Sequence, residues 1–481
     1  MVSMAKILMV SSEAAPLAKT GGLADVVGAL PPALRKLGDE VAVVLPRYGR
    51  IGLQGARRIY NDLPVSLGDR PVQTSVFQIN IGDVPIYLLD SPEFFDRPGL
   101  YGENNWDYAD NPQRFAVLDL GALAVARHIF RPDVFHLHDW QASLVPVYQN
   151  GRFRNDPTLI GIRSLLTIHN LGYQGRYHAS YLRYCGLDPW QPGPLEFWGD
   201  ISFLKAGIVL SDALNTVSPR YAQEIQTPEY GFGMDGLLRN RGADLTGILN
   251  GVDYAEWNPE TDKLIPANYA AKNLDGKAVC KRELLKEFGL PSEDLETPVI
   301  GIVSRFADQK GFDLIAHAAY ELAALDMKLV VLGTGDPAYE NLFRALAWHN
   351  PYKISARIAY DNRVAHLIEA GADMFLMPSR YEPCGLNQIY SLRYGTIPLV
   401  RATGGLDDTI GEGTGFKFWD YSGYSMLQMI RYALAQYQDR EAWTGMMRRA
   451  MAEDFSWDVS ARRYSELYRK LMQPRGGRAV A

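Results

Sequence analysis

The stretch KILMVSSEAAPLAKTGGLADVVGAL, residues 6–30, joins a short apolar run to a helical pattern through a loop with one lysine and two adjacent glycines. Lys6–Val10 reads as a strand. Leu23, Val26, Val27, Leu30, Leu34 and Leu37 recur with a period near 3.6 and predict a helix. Pro31 and Pro32 fall inside that pattern and predict a kink or a restart. Gly38 closes it, and VAVVL, Val41–Leu45, is the next strand. Strand, glycine turn, helix and strand is the opening unit of a parallel α/β sheet. The turn itself suits an anion: glycine lets a ligand approach the backbone, a helix N-terminus offers unpaired N–H groups, and Lys19 adds a full charge. A surface lysine on a glycine turn is the plainer reading. The T-G-G-L-x-D string recurs without the lysine in ATGGLDDTI, residues 402–410, again after an apolar run.

Outward from that unit, VPIYLL, DVFHLH and SLLTIH alternate with helix-like segments, and the pattern restarts at TPVIGIVSRF, residues 297–306. KLVVLGTGD, ARIAY, DMFLMPSRYEPCG and IPLVRATGGL follow as strand-then-loop units. Nearly all-apolar strands predict parallel sheets covered on both faces. Ligands of such sheets bind outside the carboxyl ends of the strands. The small, turn-rich segment 242–253 marks the expected boundary between two domains. A chain of 481 residues also favours two large domains.

Hydrophobic residues make up 47% and charged residues 22%, a globular composition, and the formal net charge of −6 argues against non-specific nucleic-acid binding. The odd count of cysteines, Cys185, Cys280 and Cys384, suits reduced thiols. The apolar run at the N-terminus is short for a secretory signal. No stretch approaches the ~18 apolar residues of a membrane span. The expectation is a cytoplasmic chain with neither nucleic acid nor membrane as partner. Oligomeric state is not legible.

Four further motifs carry chemistry. SRFADQKGFDL places Arg305 and Lys310 after a buried strand. Arginine grips a diphosphate bidentately and lysine adds a point charge, so the pair could neutralise a departing pyrophosphate. PSRYEPCGLNQIYSLRYG places Glu382 and Cys384 on a proline-stiffened loop before a helix. A carboxylate there could bind sugar hydroxyls or stabilise positive charge at an anomeric carbon. A nucleophilic Cys384 would need a histidine partner, and none is near in sequence. HLHDWQ puts His136 and His138 on one strand face, with Asp139 and Trp140 at its end. His169 in LTIHN ends the next strand. Zinc is the weaker reading of these histidines, since no further His/Cys cluster accompanies them; Trp140 could stack on a sugar. VLGTGDP offers Gly333 and Gly335 but not the full dinucleotide fingerprint.

Taken in order, KTGGLADVVGALP, HDWQ, TIHN, SRF-x3-KGFDL, GTGDP, PSRYEPCGL and TGGLDDT resemble bacterial glycogen synthase and plant starch synthase from about residue 6 to about 470. The resemblance implies a GT-B architecture: two Rossmann-like, doubly wound α/β domains facing a deep cleft. The implied spans are residues 1–245 on the glucan side, 246–455 on the donor side, and a helix in 456–481 crossing back. It implies transfer of glucose from ADP-glucose to the non-reducing end of an α-1,4-glucan, with retention of configuration and with neither metal nor other cofactor. By motif position, Glu382, Arg305, Lys310 and His169 form the implied catalytic set. Lys19, Gly21, Gly22, Asp139, Tyr101, Cys384, Gly385, Leu386, Thr403, Gly404 and Gly405 form the implied substrate-binding set. Within it Gly404 and Gly405 are expected to offer backbone N–H groups. Lys19 is expected to reach the donor phosphates, and the domains to close on the donor. Asn387 and Tyr381 stand where threonine and phenylalanine are common in the family. The resemblance chooses ADP over UDP; no motif reads the base. A dehydrogenase would need a G-x-G-x-x-G string after the first strand, and residues 10–28 lack it. A glucan-binding protein without catalysis would not need these four charged residues together.

Overall fold

A computed structural model describes residues 4–103, 106–190 and 192–473. Contacts divide the chain into two compact units. The first comprises Met1–Val217, Ala222–Gly251 and Trp457–Ala481; the second comprises Ser218–Tyr221 and Val252–Ser456.

The first unit is built on a nine-stranded sheet. Its strands are β1 (Lys6–Val10), β2 (Glu40–Pro46), β3 (Arg57–Tyr60), β4 (Ser75–Ile81), β5 (Val84–Asp90), β6 (Val134–His138), β7 (Arg163–Ile168), β8 (Ala213–Thr216) and β9 (Leu245–Gly247). The order is β9-β8-β7-β6-β1-β2-β5-β4-β3. Pairing is parallel from β9 through β5. The edge departs from the expected all-parallel sheet: β5, β4 and β3 pair antiparallel. Gly82, at φ +60°, turns β4 into β5. β4, between β5 and the edge strand β3, is half-exposed along most of its length, as an antiparallel strand with one wet face can be.

α1 (Gly22–Lys36) runs unbroken through Pro31 and Pro32, so the expected restart does not occur. The prolines cost the helix two N–H donors, but Val26, Val27, Leu30, Pro31 and Leu34 are all buried. Tertiary packing outweighs the local penalty. The last helix, Trp457–Met472, belongs to the first unit and packs on α1. Ser465 Oγ donates to Asp39 Oδ2 at 2.5 Å.

The second unit holds a parallel six-stranded sheet. Its strands are β10 (Val299–Phe306), β11 (Lys328–Gly335), β12 (Ile354–Ile358), β13 (Met374–Met377), β14 (Ile397–Arg401) and β15 (Phe416–Phe418), in the order β12-β11-β10-β13-β14-β15. Ile300, Ile302, Leu329 and Val331 face one core, while Val299, Val330 and Phe375 face another. That division explains why the strands read as continuous apolar runs.

Among the parallel strands of each sheet the strand order switches sides at one place. In the first, β1 lies between β6 and β2; in the second, β10 lies between β13 and β11. A crevice opens at such a switch point beyond the strand ends. The loops after β1, β6, β10 and β13 carry Lys19, Asp139, Lys310 and Glu382 respectively, and Arg305 stands near the end of β10 itself. Among the described residues no helix is long and apolar enough to cross a membrane.

Candidate active site

In the first unit the loop after β1 is organised by a residue that the motifs did not single out. Glu13 is buried, and its carboxylate accepts Thr20 N–H and Thr20 Oγ1, each at 2.6 Å, and Gly21 N–H at 3.2 Å. Tyr101 donates its hydroxyl to Glu13 Oε1 at 2.6 Å and stands 2.8 Å from Ser12 Oγ. Burial, then the Glu13 charge, hold the Tyr101 phenol well above its ordinary value, so it remains a neutral donor. A buried carboxylate wants several donors, and the K-T-G-G turn supplies them. Only the tertiary contact to Tyr101 would have marked Glu13.

Gly21 and Gly22 are exposed, and a Cβ on either would meet nothing within 4 Å. They leave open space at the start of α1. Gly21 N–H is engaged with Glu13, which narrows the expected anion cradle to the positions after it. Lys19 is exposed and pairs with Asp25 Oδ1 at 2.5 Å. The aspartate of the T-G-G-L-x-D string thus holds the lysine to the helix it precedes.

At the adjoining strand end, Asp139 takes φ +56° with ψ −167°, outside the left-handed helical well and in a strained region that non-glycine residues rarely adopt. Its Oδ1 accepts His169 N–H at 2.7 Å. Burial, opposed by backbone donation from His169 and Asn170, lifts its carboxyl to about 7. Burial lowers His169 to about 3, so this imidazole is neutral at physiological pH. Trp140 is no sugar platform here. It is 8% exposed and packs edge-on to Phe115, with centroids 5.0 Å apart. Among the described residues no three His, Cys, Asp or Glu side chains gather in metal-ligating geometry.

In the second unit Lys310 Nζ meets Glu382 Oε2 at 2.7 Å, and Ser379 Oγ donates to the same oxygen at 3.0 Å. Glu382 is 5% exposed. Arg305 is exposed, and its guanidinium has no partner among the described residues. A buried carboxylate with its counter-ion therefore adjoins the strand that ends in an unengaged arginine.

The loop bearing Glu382 is held from several sides. Arg401 Nη1 donates to Arg380 O at 2.6 Å and Ser218 Oγ to Pro383 O at 2.6 Å. Asn387 Nδ2 donates to Val303 O at 2.7 Å, so this asparagine ties its helix, α2 (Asn387–Tyr394), to β10. Cys384 is buried, and Gly385 stands at φ +70° just before Leu386, the residue preceding α2.

The second T-G-G-L string corrects the expectation for its glycines. Thr403 is buried and precedes α3 (Gly404–Thr409). Gly405 N–H donates to Glu382 O at 3.0 Å. A Cβ on Gly404 would lie 1.9 Å from Glu382 O, and one on Gly405 2.0 Å from Cys384 O. The Gly405 N–H is consumed by the protein itself. The pair lets two backbones touch and so locates Glu382, whereas the first pair leaves space.

Two family assignments agree with this geometry. Residues 6–240 match the starch synthase catalytic domain and residues 286–448 match glycosyl transferases group 1. The chain is 49% identical to a glycogen synthase of Koribacter versatilis, over 98% of this chain and 99% of the relative. This chain belongs to the glycogen synthase family. A glycogen synthase of Anaeromyxobacter sp. (strain Fw109-5) is 50% identical over 98% of this chain and 100% of the relative. Among solved structures, the catalytic domain of starch synthase IV from Arabidopsis thaliana, bound to ADP and acarbose, superposes with a TM-score of 0.89 at 32% identity. It covers 98% of this chain and 100% of that one. A sucrose-phosphate synthase from Thermosynechococcus elongatus, at 18% identity and a TM-score of 0.60, shares the fold. The family membership makes this chain a retaining glycosyltransferase of GT-B architecture.

Proposed function

We propose that this chain extends an α-1,4-glucan, glycogen, at its non-reducing end with glucose from ADP-glucose, in the cytoplasm. The observation that carries the reading is the pair of half-buried Lys310 with buried Glu382 at 2.7 Å, Lys310 lying on the loop that follows the unengaged Arg305 in the chain. Arg305 and Lys310 would take the departing diphosphate, with Lys19 as a third cation. Positive charge aimed at a leaving group whose charge grows in the transition state lowers the barrier. Glu382, with Lys310 drawn towards phosphate, would bind the transferred glucose and stabilise charge at its anomeric carbon. His169, Asp139 and Tyr101 would orient sugar hydroxyls. Thr403, Gly404, Gly405, Cys384, Gly385 and Leu386 would shape the pocket wall that fixes Glu382.

Retention is compatible with a covalent glucosyl-carboxylate or with reaction on one face of the sugar, the leaving phosphate taking the acceptor's proton. We assign Glu382 to charge stabilisation; trapping of a Glu382–glucose ester would overturn that role. The ADP-bound state of the Arabidopsis relative supports adenine as the donor base. The test is glycogen incubated with labelled ADP-glucose and, separately, UDP-glucose. ADP-glucose is expected to be the faster donor. Faster transfer from UDP-glucose would overturn the donor assignment and leave the family membership intact.

A further inference from the structure

His138 has no place in the site as assigned, yet its ring abuts His169. His138 Nδ1 lies 3.0 Å from His169 Nε2, with ring centroids 5.3 Å apart. His138 is fully buried, and its Nε2 has no hydrogen-bond partner among the described residues. One proton is shared across the contact, and its owner decides what His169 can offer a ligand.

The surrounding network limits the choice. Asn215 Nδ2 donates to the carbonyls of Thr216 and Thr246, which identifies Asn215 Oδ1 as the acceptor of Thr167 Oγ1 at 2.7 Å and of the Tyr464 hydroxyl at 2.9 Å. Thr167 has then spent its proton, so its oxygen accepts from His136 Nε2 at 2.7 Å. His136 therefore receives the Tyr468 hydroxyl on Nδ1, at 2.8 Å. Burial keeps His136 neutral, at about 3. Pinned at both nitrogens, it forms a fixed wall 4.2 Å from the His138 ring centroid.

His138 can hold its proton on either nitrogen. On Nε2 it would be a buried donor without an acceptor, the rarer and costlier kind of orphan. On Nδ1 it donates to His169 Nε2 and leaves only an unused lone pair. His169 then carries its own proton on Nδ1, which has no partner among the described residues. We propose that His138 is a positioning residue that fixes His169 as the Nδ1–H tautomer, so that His169 meets the transferred sugar as a neutral donor to a hydroxyl oxygen. The proposal rests on the reading of His169 as a sugar contact. It assigns the orienting role to a histidine that touches no substrate.

The test uses the full-length protein labelled with 15N-histidine. Eight histidines give a resolvable long-range 1H–15N spectrum, and loss of one pattern in His169→Ala assigns His169. The wild type is expected to show a protonated Nδ1 and a bare Nε2 on His169; the reverse pattern overturns the proposal without any substitution at His138. In His138→Leu the Nδ1–H form should no longer dominate, and kcat/KM for the donor should fall about tenfold, the worth of one hydrogen bond. His138→Asn, which can keep a donor near the Nδ1 position, should recover both. An inactive His138→Leu whose His169 still holds its proton on Nδ1 would show that His138 only packs. Unchanged donor constants in His169→Ala would overturn the sugar contact itself, whatever the spectra say of the tautomer.

Discussion

Gly404→Ala separates the two T-G-G-L strings most sharply. Gly404 stands at φ +46°, and a Cβ there would lie 1.9 Å from the carbonyl oxygen of Glu382, where ordinary contact begins near 3.4 Å. The Glu382 backbone would have to retreat by roughly 1.5 Å, and a misplacement of about 1 Å can cost about 10²-fold in rate. The left-handed backbone adds about 1 kcal/mol of strain for alanine. The variant should therefore fold, melt at a lower temperature, and lose about 10²-fold in kcat with little change in glucan KM. Gly21→Ala is the control: φ is −156° and nothing lies within 4 Å of the added methyl. Its melting temperature should match the wild type, and any loss should sit in donor KM. Steady-state transfer assays with thermal melts read both. A Gly404→Ala enzyme with wild-type kcat, or equal kcat losses in the two variants, would refute the claim that the second pair exists to locate Glu382.

Lys310→Met leaves Glu382 with Ser379 as its hydrogen-bond partner and should cost about 3 kcal/mol of stability as well as activity, because one charge of a largely buried pair loses its partner. Lys310→Arg should recover most of the melting temperature, and a Met variant that melts like the wild type would remove the pair from the account. Asp139 gives a pH signature. Its folded carboxyl titrates at about 7 against 3.8 when unfolded. Between those values the folded chain keeps a proton that the unfolded chain releases, so this group's contribution falls as pH rises from about 4 to 7. Asp139→Asn removes that slope, at most roughly 1.4 kcal/mol per pH unit, so it should gain stability relative to the wild type across that window; parallel melting curves from pH 4.5 to 7.5 would contradict it. Glu13→Gln replaces one accepting oxygen by a donor, which should loosen the Lys19 turn and raise donor KM about tenfold while glucan KM stays constant. Equal rises in both constants would refute its role as organiser of that turn.

The alternation of apolar runs with helical periodicity exposed the two α/β units, because parallel strands buried on both faces leave an unmistakable pattern. It said little about the antiparallel edge of the first sheet, where β4 carries a mixed pattern and pairing depends on neighbours distant in sequence. The prolines of α1 looked like a break because local rules cannot weigh the buried face around them. Strand-end position brought out Glu382, Arg305, Lys310, Asp139 and His169. What the sequence concealed was reciprocity. Glu13 matters through four donors drawn from two segments, and His138 through one contact across adjacent strands. The two glycine pairs look alike in letters and differ in space: one stands open, the other is pressed against the backbone of Glu382.

The central claim is that Glu382, set by Lys310 and by the second glycine pair, sustains glucose transfer. The most direct measurement is the initial rate of label transfer from saturating ADP-glucose to glycogen by Glu382→Ala, with ADP binding measured on the same preparation. The account predicts ADP affinity close to wild type and a rate lower by about 10³-fold, on the scale of losing one strong electrostatic contact in the transition state. A rate within twofold of the wild type would contradict it.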